Sequence, residues 1–97
     1  MSLVLDSGGV DRLAGDRSRL AELRRRGQWP PTIPAVVLTE CLTGDHRRDF
    51  HTNHLLRMSG ICAVTEQLAR SAAGMRSATG RAGTIAATDA IVAALAV

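Results

Sequence analysis

The chain has 97 residues, enough for one small domain with its own apolar core. Apolar residues make up 45% of it, which argues against a disordered chain. Aromatic residues make up only 2%, which argues against a module that stacks nucleobases on aromatic platforms. All 12 basic side chains are arginines, and nine acids are interspersed among them. The formal charge of +3 therefore mildly favours an anionic partner without making the chain a polybasic nucleic-acid binder.

The cysteines and the apolar runs bear on where the protein resides. Cys41 and Cys62 form no Cys-x-x-Cys pattern, so we expect two free, buried thiols. No basic leader precedes the first apolar run, so we expect no signal peptide. No uncharged run is long enough to span a bilayer. These features predict a soluble, cytoplasmic protein that makes no use of a membrane.

The N-terminal stretch places a carboxylate directly after an apolar run. Leu3, Val4 and Leu5, followed by small residues, predict a short buried strand that ends at Asp6. In open α/β sheets, ligands bind beyond the carboxyl ends of the strands, so Asp6 is a candidate site residue. The alternative is that Asp6 only caps the next helix, a position that Asp favours. The stretch by itself supports both interpretations equally.

The chain up to residue 44 predicts helices on both sides of a strand. Helices are expected at three places: Val10–Leu13, Ser18–Arg26 and Ala35–Leu42. Gly27 and Gly44 are the expected ends of the second and third of them. The prolines frame a strand whose core is Thr32 and Ile33. Glu40 is the only charge between Gly27 and Gly44, so we expect it to have a partner.

The second half of the chain continues the alternation of helices and strands. Residues 45–57 are polar and partly helical, with His51 and His54 spaced like a metal-binding pair. No third ligand accompanies them, so we expect a solvated helical face. A strand over Ile61–Val64 follows, Thr65 is the expected N-cap, and the last two elements are helices: Glu66–Ser77 and Thr84–Val97. The whole order predicts an α/β fold with a mostly parallel sheet.

Three carboxylates stand alone in apolar surroundings near strand ends or helix starts: Asp6, Glu40 and Asp89. In a parallel α/β sheet such positions converge on one face, which would allow the three side chains to meet. A hard divalent cation would relieve their mutual repulsion, and Mg²⁺ or Mn²⁺ prefers oxygen ligands. An ion held there would bind phosphate oxygens and activate a water. The alternative is three unrelated capping or edge carboxylates.

The stretches around these acids resemble the motifs of a known family. Leu3–Ser7, Pro34–Glu40 and Thr88–Ala94 look like the first, second and third motifs of PIN-domain ribonucleases. Their order and spacing resemble the small stand-alone toxins of VapC type. The resemblance implies a three-layer α/β/α fold with a short, mostly parallel sheet.

The resemblance also implies a function. It implies a metal-dependent endoribonuclease toxin of a type II toxin–antitoxin system, which hydrolyses RNA phosphodiesters, pairs with a small antitoxin and forms a homodimer. Asp6, Glu40 and Asp89 correspond to the catalytic ligands for Mg²⁺ or Mn²⁺, and Ser7 to a neighbouring hydroxyl position. Arg81, in the loop before the last helix, is a further candidate for contact with substrate phosphate.

The chain departs from the family pattern at two places. Gly8 and Gly9 stand where the family more often has a polar and then a small or aliphatic residue. The family's fourth acid, which follows a further strand, is absent. An apolar, uncharged helix closes the chain, and a three-stranded sheet leaves one edge bare. We therefore expect a single PIN-like domain over residues 1–97, truncated at the C-terminus and lacking its last strand.

Two other functions are compatible with the sequence to different degrees. A catalytically inactive, truncated domain that serves as a protein-interaction module would use Val10–Leu23 or the Leu55–Leu56–Met58 cluster as its partner surface. A receiver-like domain phosphorylated on Asp6 normally needs a lysine to hold the phosphoryl group. The chain has no lysine, which argues against this second alternative.

Overall fold

The computed structural model of the chain describes residues 3–78 and 86–96. Within these ranges the helices are α1 (Ser7–Leu13), α2 (Arg17–Arg25), α3 (Leu38–Cys41), α4 (Phe50–Met58), α5 (Glu66–Ala78) and α6 (Ala87–Ala96). The strands are β1 (Thr32–Pro34) and β2 (Gly60–Cys62). The chain is thus an α/β fold, as predicted.

The two strands form a short parallel sheet. Ile33 at the centre of β1 lies opposite Ile61 at the centre of β2. The Gly60 N–H donates to the Pro31 carbonyl at 2.9 Å, just before the paired residues. The strand predicted over Ile61–Val64 therefore begins one residue earlier, at Gly60, and ends two residues earlier, at Cys62. The parallel pairing itself is confirmed.

The N-terminal segment joins the opposite edge of β1. Val4 forms a parallel bridge to Thr32. The Thr32 N–H donates to the Leu3 carbonyl at 2.7 Å, and the Leu5 N–H donates to the Thr32 carbonyl at 2.9 Å. The predicted first strand is therefore present as a single bridge, and it delivers Asp6 to the carboxyl end of the sheet.

Side-chain caps fix where two of the helices begin. The Asp6 Oδ1 atom accepts from the Gly9 N–H at 2.6 Å, so α1 begins at Ser7, earlier than predicted. The Thr65 Oγ1 atom accepts from the Leu68 N–H at 3.1 Å and opens α5, as predicted. The capping interpretation of Asp6 is confirmed.

Helices α2 and α3 end in different ways. Gly27 has a φ of +70° and comes directly after the C-cap of α2, as predicted. The helix predicted over Ala35–Leu42 begins as a 3₁₀ turn, Ala35–Val37, and continues as α3. Leu42 has extended backbone angles and ends it, so the prediction that Gly44 closes this helix is wrong. Gly44 has a φ of +88°, but it lies in the loop that follows.

The core lies between β1 and the helices around it. Its buried members are aliphatic: Leu5, Val10, Leu13, Ile33, Val37, Leu55 and Leu56. Leu55 and Leu56 are only 1% and 8% exposed. The expectation that they belong to a partner surface with Met58 is therefore wrong, because helix α4 turns them inward against α1.

One charged side chain is buried among the described residues. Asp49 is 4% exposed, and its carboxylate accepts from the Thr43 N–H at 3.0 Å, the Thr43 hydroxyl at 2.8 Å and the Gly44 N–H at 2.9 Å. Burial raises the pKa of Asp49, but these hydrogen bonds together outweigh it and hold the pKa below its ordinary value of 3.8. The carboxylate closes the loop between α3 and α4.

The last two described helices pack chiefly on each other. Ala72 of α5 and Ala90 of α6 are buried, and their small side chains allow the two helices to approach closely. Helix α6 also contacts β1. No described helix is long and apolar enough to cross a membrane. Cys41 and Cys62 are free thiols, as predicted, but both are only half-buried.

The assigned core predicts the cost of truncating Leu55. Leu55→Ala should lower the free energy of unfolding by about 2–5 kcal/mol, because the surrounding side chains refill such a cavity only partly. Ile61→Ala is the control, because Ile61 is 44% exposed and should lose far less. Urea unfolding followed by circular dichroism measures both variants. Equal losses would contradict this assignment of the core.

The buried carboxylate predicts a pH dependence of stability. Because the folded pKa of Asp49 lies below its unfolded value, its contribution is complete above about pH 4 and is lost as the pH falls through the folded pKa. Asp49→Asn should lower the melting temperature at neutral pH and reduce its decline on acidification. Asp11→Asn, an exposed aspartate, is the matched control. Thermal unfolding between pH 3 and 7 tests this, and parallel curves for wild type and Asp49→Asn would refute it.

Candidate functional site

Asp6 lies where the sequence analysis placed a functional carboxylate. It is exposed, and it follows the N-terminal bridge directly. Oδ1 is used by the Gly9 N–H, whereas Oδ2 has no hydrogen bond to a described residue. A Cβ atom at Gly9 would lie 3.2 Å from Oδ1 and 3.2 Å from the Leu5 side chain. Glycine at position 9 therefore permits the close approach of the carboxylate to the helix.

A groove of about 340 Å³ opens beside Asp6, and we call it the Asp6 groove. Its walls are largely aliphatic and come from the N-terminal segment, α1, α2 and α6: Leu3, Val4, Leu5, Leu13, Leu23 and Val92. Arg12 and Arg19 also line it. The Arg19 Nε atom lies 3.2 Å from a carboxylate oxygen of Asp16, and no described residue forms an ion pair with Arg12. The lining of the groove thus includes one aspartate and two arginines.

Neither arginine was a candidate site residue from the sequence, because arginines on short helices are usually solvated. A local signal exists for Arg12, since it follows Gly9 by three residues and so shares its face of α1. No local signal exists for Arg19, which reaches the groove through the angle between α1 and α2.

Asp89 lies in the first turn of α6 and is exposed. Val92 follows it by three residues on the same helix face and lines the Asp6 groove. Helix α6 therefore runs beside the groove, with the third lone acid about one turn away from the wall residue.

Glu40 lies on α3, which packs against α1. It is exposed and forms no hydrogen bond or ion pair with a described residue, so the expectation of a partner is not met. Burial raises the pKa of the neighbouring Cys41, and the negative charges of Asp11, Glu40 and Asp49 raise it further. Asp11 is thus a further acid on the α1–α3 side that the sequence analysis did not single out.

The described residues do not gather a metal-binding cluster. Within 3–78 and 86–96, no group of three or more His, Cys, Asp and Glu side chains is placed to hold an ion. The carboxylates of Asp6, Glu40 and Asp89 have the oxygen donors that Mg²⁺ or Mn²⁺ prefers, but the structure does not bring the three together.

The remaining candidate positions differ in what the structure says of them. Ser7 is the first residue of α1 and is half-buried beside Asp6. Arg81 lies outside the described residues. His51 and His54 are both exposed on α4, in keeping with the solvated face that was predicted.

The chain was compared with known proteins at three levels. No model of a protein family, no curated protein and no solved structure gives a significant match. The resemblance to PIN-domain toxins therefore rests on the motifs around the three acids.

Substitutions can separate the two roles of Asp6, as the cap of α1 and as a carboxylate in the Asp6 groove. Asp6→Asn should change the free energy of unfolding little, because Asn caps a helix about as well as Asp. Asp6→Ala should cost about 0.5–2 kcal/mol, because the Gly9 N–H loses its acceptor. Asp16→Ala, which removes the equivalent cap of α2, is the control and should cost a similar amount. Urea unfolding measures all three, and an unchanged Asp6→Ala protein would contradict the capping role.

Proposed function

We propose that the chain is a metal-dependent endoribonuclease, similar to the VapC-type toxins of type II toxin–antitoxin systems. The observation that carries the proposal is the Asp6 groove, which is lined by one aspartate and two arginines at the carboxyl end of a parallel sheet. Ligand sites are commonly built at this position in α/β folds.

The parallel arrangement around β1 supports a PIN-like fold. The N-terminal segment lies on one edge of β1 and β2 on the other, so the three segments that follow one another in the chain lie side by side. The proposed architecture is a three-layer α/β/α domain with helices on both faces of this sheet.

The groove suits a phosphodiester substrate. Arg12 and Arg19 offer planar guanidinium groups, which bind phosphate oxygens with two hydrogen bonds at once. Asp6, Glu40 and Asp89 are the proposed ligands of Mg²⁺ or Mn²⁺, with Ser7 beside the first of them. The described residues form no such group, so the proposal requires these three carboxylates to come together around the ion. We further propose RNA as substrate, a small antitoxin and a second copy of the chain as partners, and a cytoplasmic location.

A protein-interaction module without catalysis is the alternative. The observation that favours it is exposed apolar surface: Phe50 is 63% exposed, Ile61 44% and Val64 36%. Exposed apolar side chains mark a partner interface when they form a contiguous patch. The two functions differ in whether RNA is cleaved.

Cleavage of a single-stranded RNA in the presence of Mn²⁺ tests the proposed function. Asp6→Asn should lower the cleavage rate at least about 100-fold while the fold persists, because it removes a charge but keeps the helix cap. Asp45→Asn, in the loop between α3 and α4, is the matched control and should cleave like the wild type. Cleavage that survives in the Asp6→Asn protein would refute the assigned site.

Calorimetric titration with Mn²⁺ tests the metal separately. Wild-type protein should bind about one ion, and Asp89→Asn should bind it much more weakly, because it removes one proposed ligand. No binding by either protein would refute the metal-dependent mechanism and favour the interaction module.

A further inference from the structure

A second cavity lies at the other end of α1, between the start of α2 and the start of α4. It measures about 260 Å³ and is lined chiefly by Arg17, Leu20, Phe50, His51, His54 and Leu55. We call it the Phe50 cavity. None of these residues lines the Asp6 groove, so the proposed active site does not account for them.

One wall of the Phe50 cavity is aromatic and held in place. The rings of Phe50 and His51 meet edge to face, with centroids 5.3 Å apart and an interplanar angle of 80°. The His51 ring in turn lies against Gly15, where an added Cβ atom would come within 3.1 Å of it. Gly15 also has a φ of +78°, which favours glycine. His51 thus contacts both Phe50 and Gly15, and Phe50 is 63% exposed.

The rest of the lining is apolar at the base and nitrogen-rich at the rim. Leu55 is buried and Leu20 half-buried beneath the opening. Arg17 is exposed and forms no ion pair with a described residue. His51 and His54 supply ring nitrogens that donate or accept hydrogen bonds. No described acid lines the cavity, so nothing in its lining repels an anion.

A cavity lined by both an aromatic ring and an arginine matches the two halves of a nucleotide. A nucleobase stacks on an aromatic face, and the adjoining phosphate pairs with Arg. Imidazole nitrogens can address the polar edge of the base. The low aromatic content of the chain excludes an array of stacking positions, but one position needs only one ring.

We propose that the Phe50 cavity binds one nucleotide of a single-stranded RNA, with its base on Phe50 and its phosphate on Arg17. This inference rests on the proposed function for the identity of the strand as RNA. The rim favours it over a docked protein helix, because three of the six side chains named above carry nitrogen donors and none is a carboxylate.

Titration with adenosine 5′-monophosphate, followed by ¹H–¹⁵N NMR without divalent metal, tests the site directly. Amide shifts should centre on Arg17, Leu20, Phe50 and His54, because these residues line the cavity. Shifts that centre on the Asp6 groove, or no shifts at all, would overturn the inference. The inference would also be overturned if the amide resonances of these residues did not shift with the nucleotide and shifted only when a partner protein was added.

Variants then separate stacking from general loss of apolar surface. Binding of a six-nucleotide adenylate RNA, measured by calorimetry in EDTA, should weaken about 5- to 150-fold in Phe50→Ala, the loss expected for one stacked base. Phe50→Leu keeps an apolar side chain without a ring and should weaken binding nearly as much. Arg17→Gln should also weaken it, whereas Arg57→Gln, at the far end of α4, is the matched control. Wild-type affinity in both Phe50 variants would overturn the inference.

The two proposals fail in different ways. If Asp6→Asn binds the nucleotide normally but does not cleave RNA, both the site and the proposed function stand. If the wild type binds the nucleotide at the Phe50 cavity but cleaves no RNA, the site stands and the nuclease fails. Cleavage by the wild type without shifts at the Phe50 cavity leaves the nuclease and removes the site.

Discussion

The central strand of the sheet, β1, has only two backbone N–H groups to donate, those of Thr32 and Ile33. They lie between Pro31 and Pro34, which are buried and have no N–H to donate. The prolines remove a hydrogen-bond donor at each end of this segment, which accords with a strand of only three residues. Thr32 nevertheless serves both edges, since it pairs with Val4 on one side and with Gly60 on the other. Because so small a sheet buries little apolar surface, the helices supply most of the core.

The short sheet also determines where Asp6 lies relative to α1. The bonds between Thr32 and the N-terminal segment end one residue before Asp6, so the carboxylate leaves the sheet where α1 must begin. Oδ1 caps the helix through Gly9, and Oδ2 faces no described donor. Capping and ligand binding, treated as alternatives in the sequence, are therefore compatible, because the two oxygens of one carboxylate can serve different partners.

Features that depend on residues close together in the chain were predicted, whereas features that depend on tertiary contacts were missed. Thr65 and Gly27 act on neighbours a few residues away, so their roles follow from local chemistry. The burial of Leu55 does not, because a leucine pair in a histidine-rich segment gives no sign that α1 covers it. The burial of Asp49 was also missed. Its donors Thr43 and Gly44 lie only a few residues before it, but the polar segment around it gives no sign that the carboxylate is buried. Convergence of the three lone acids is likewise a tertiary property, which their spacing along the chain cannot establish.

The Asp6 groove and the Phe50 cavity are linked by α1 and α2. Helix α1 begins directly after its cap Asp6 and ends at Leu13, two residues before Gly15, and its seven residues rise by about 10 Å. On α2, Arg19 lines the groove and the adjacent Leu20 lines the cavity. If both proposals hold, a strand of a few nucleotides would contact both sites, with an arginine at each. In such an arrangement the Phe50 cavity would hold one nucleotide at a fixed distance from Asp6, and that distance would set which phosphodiester lies in the groove.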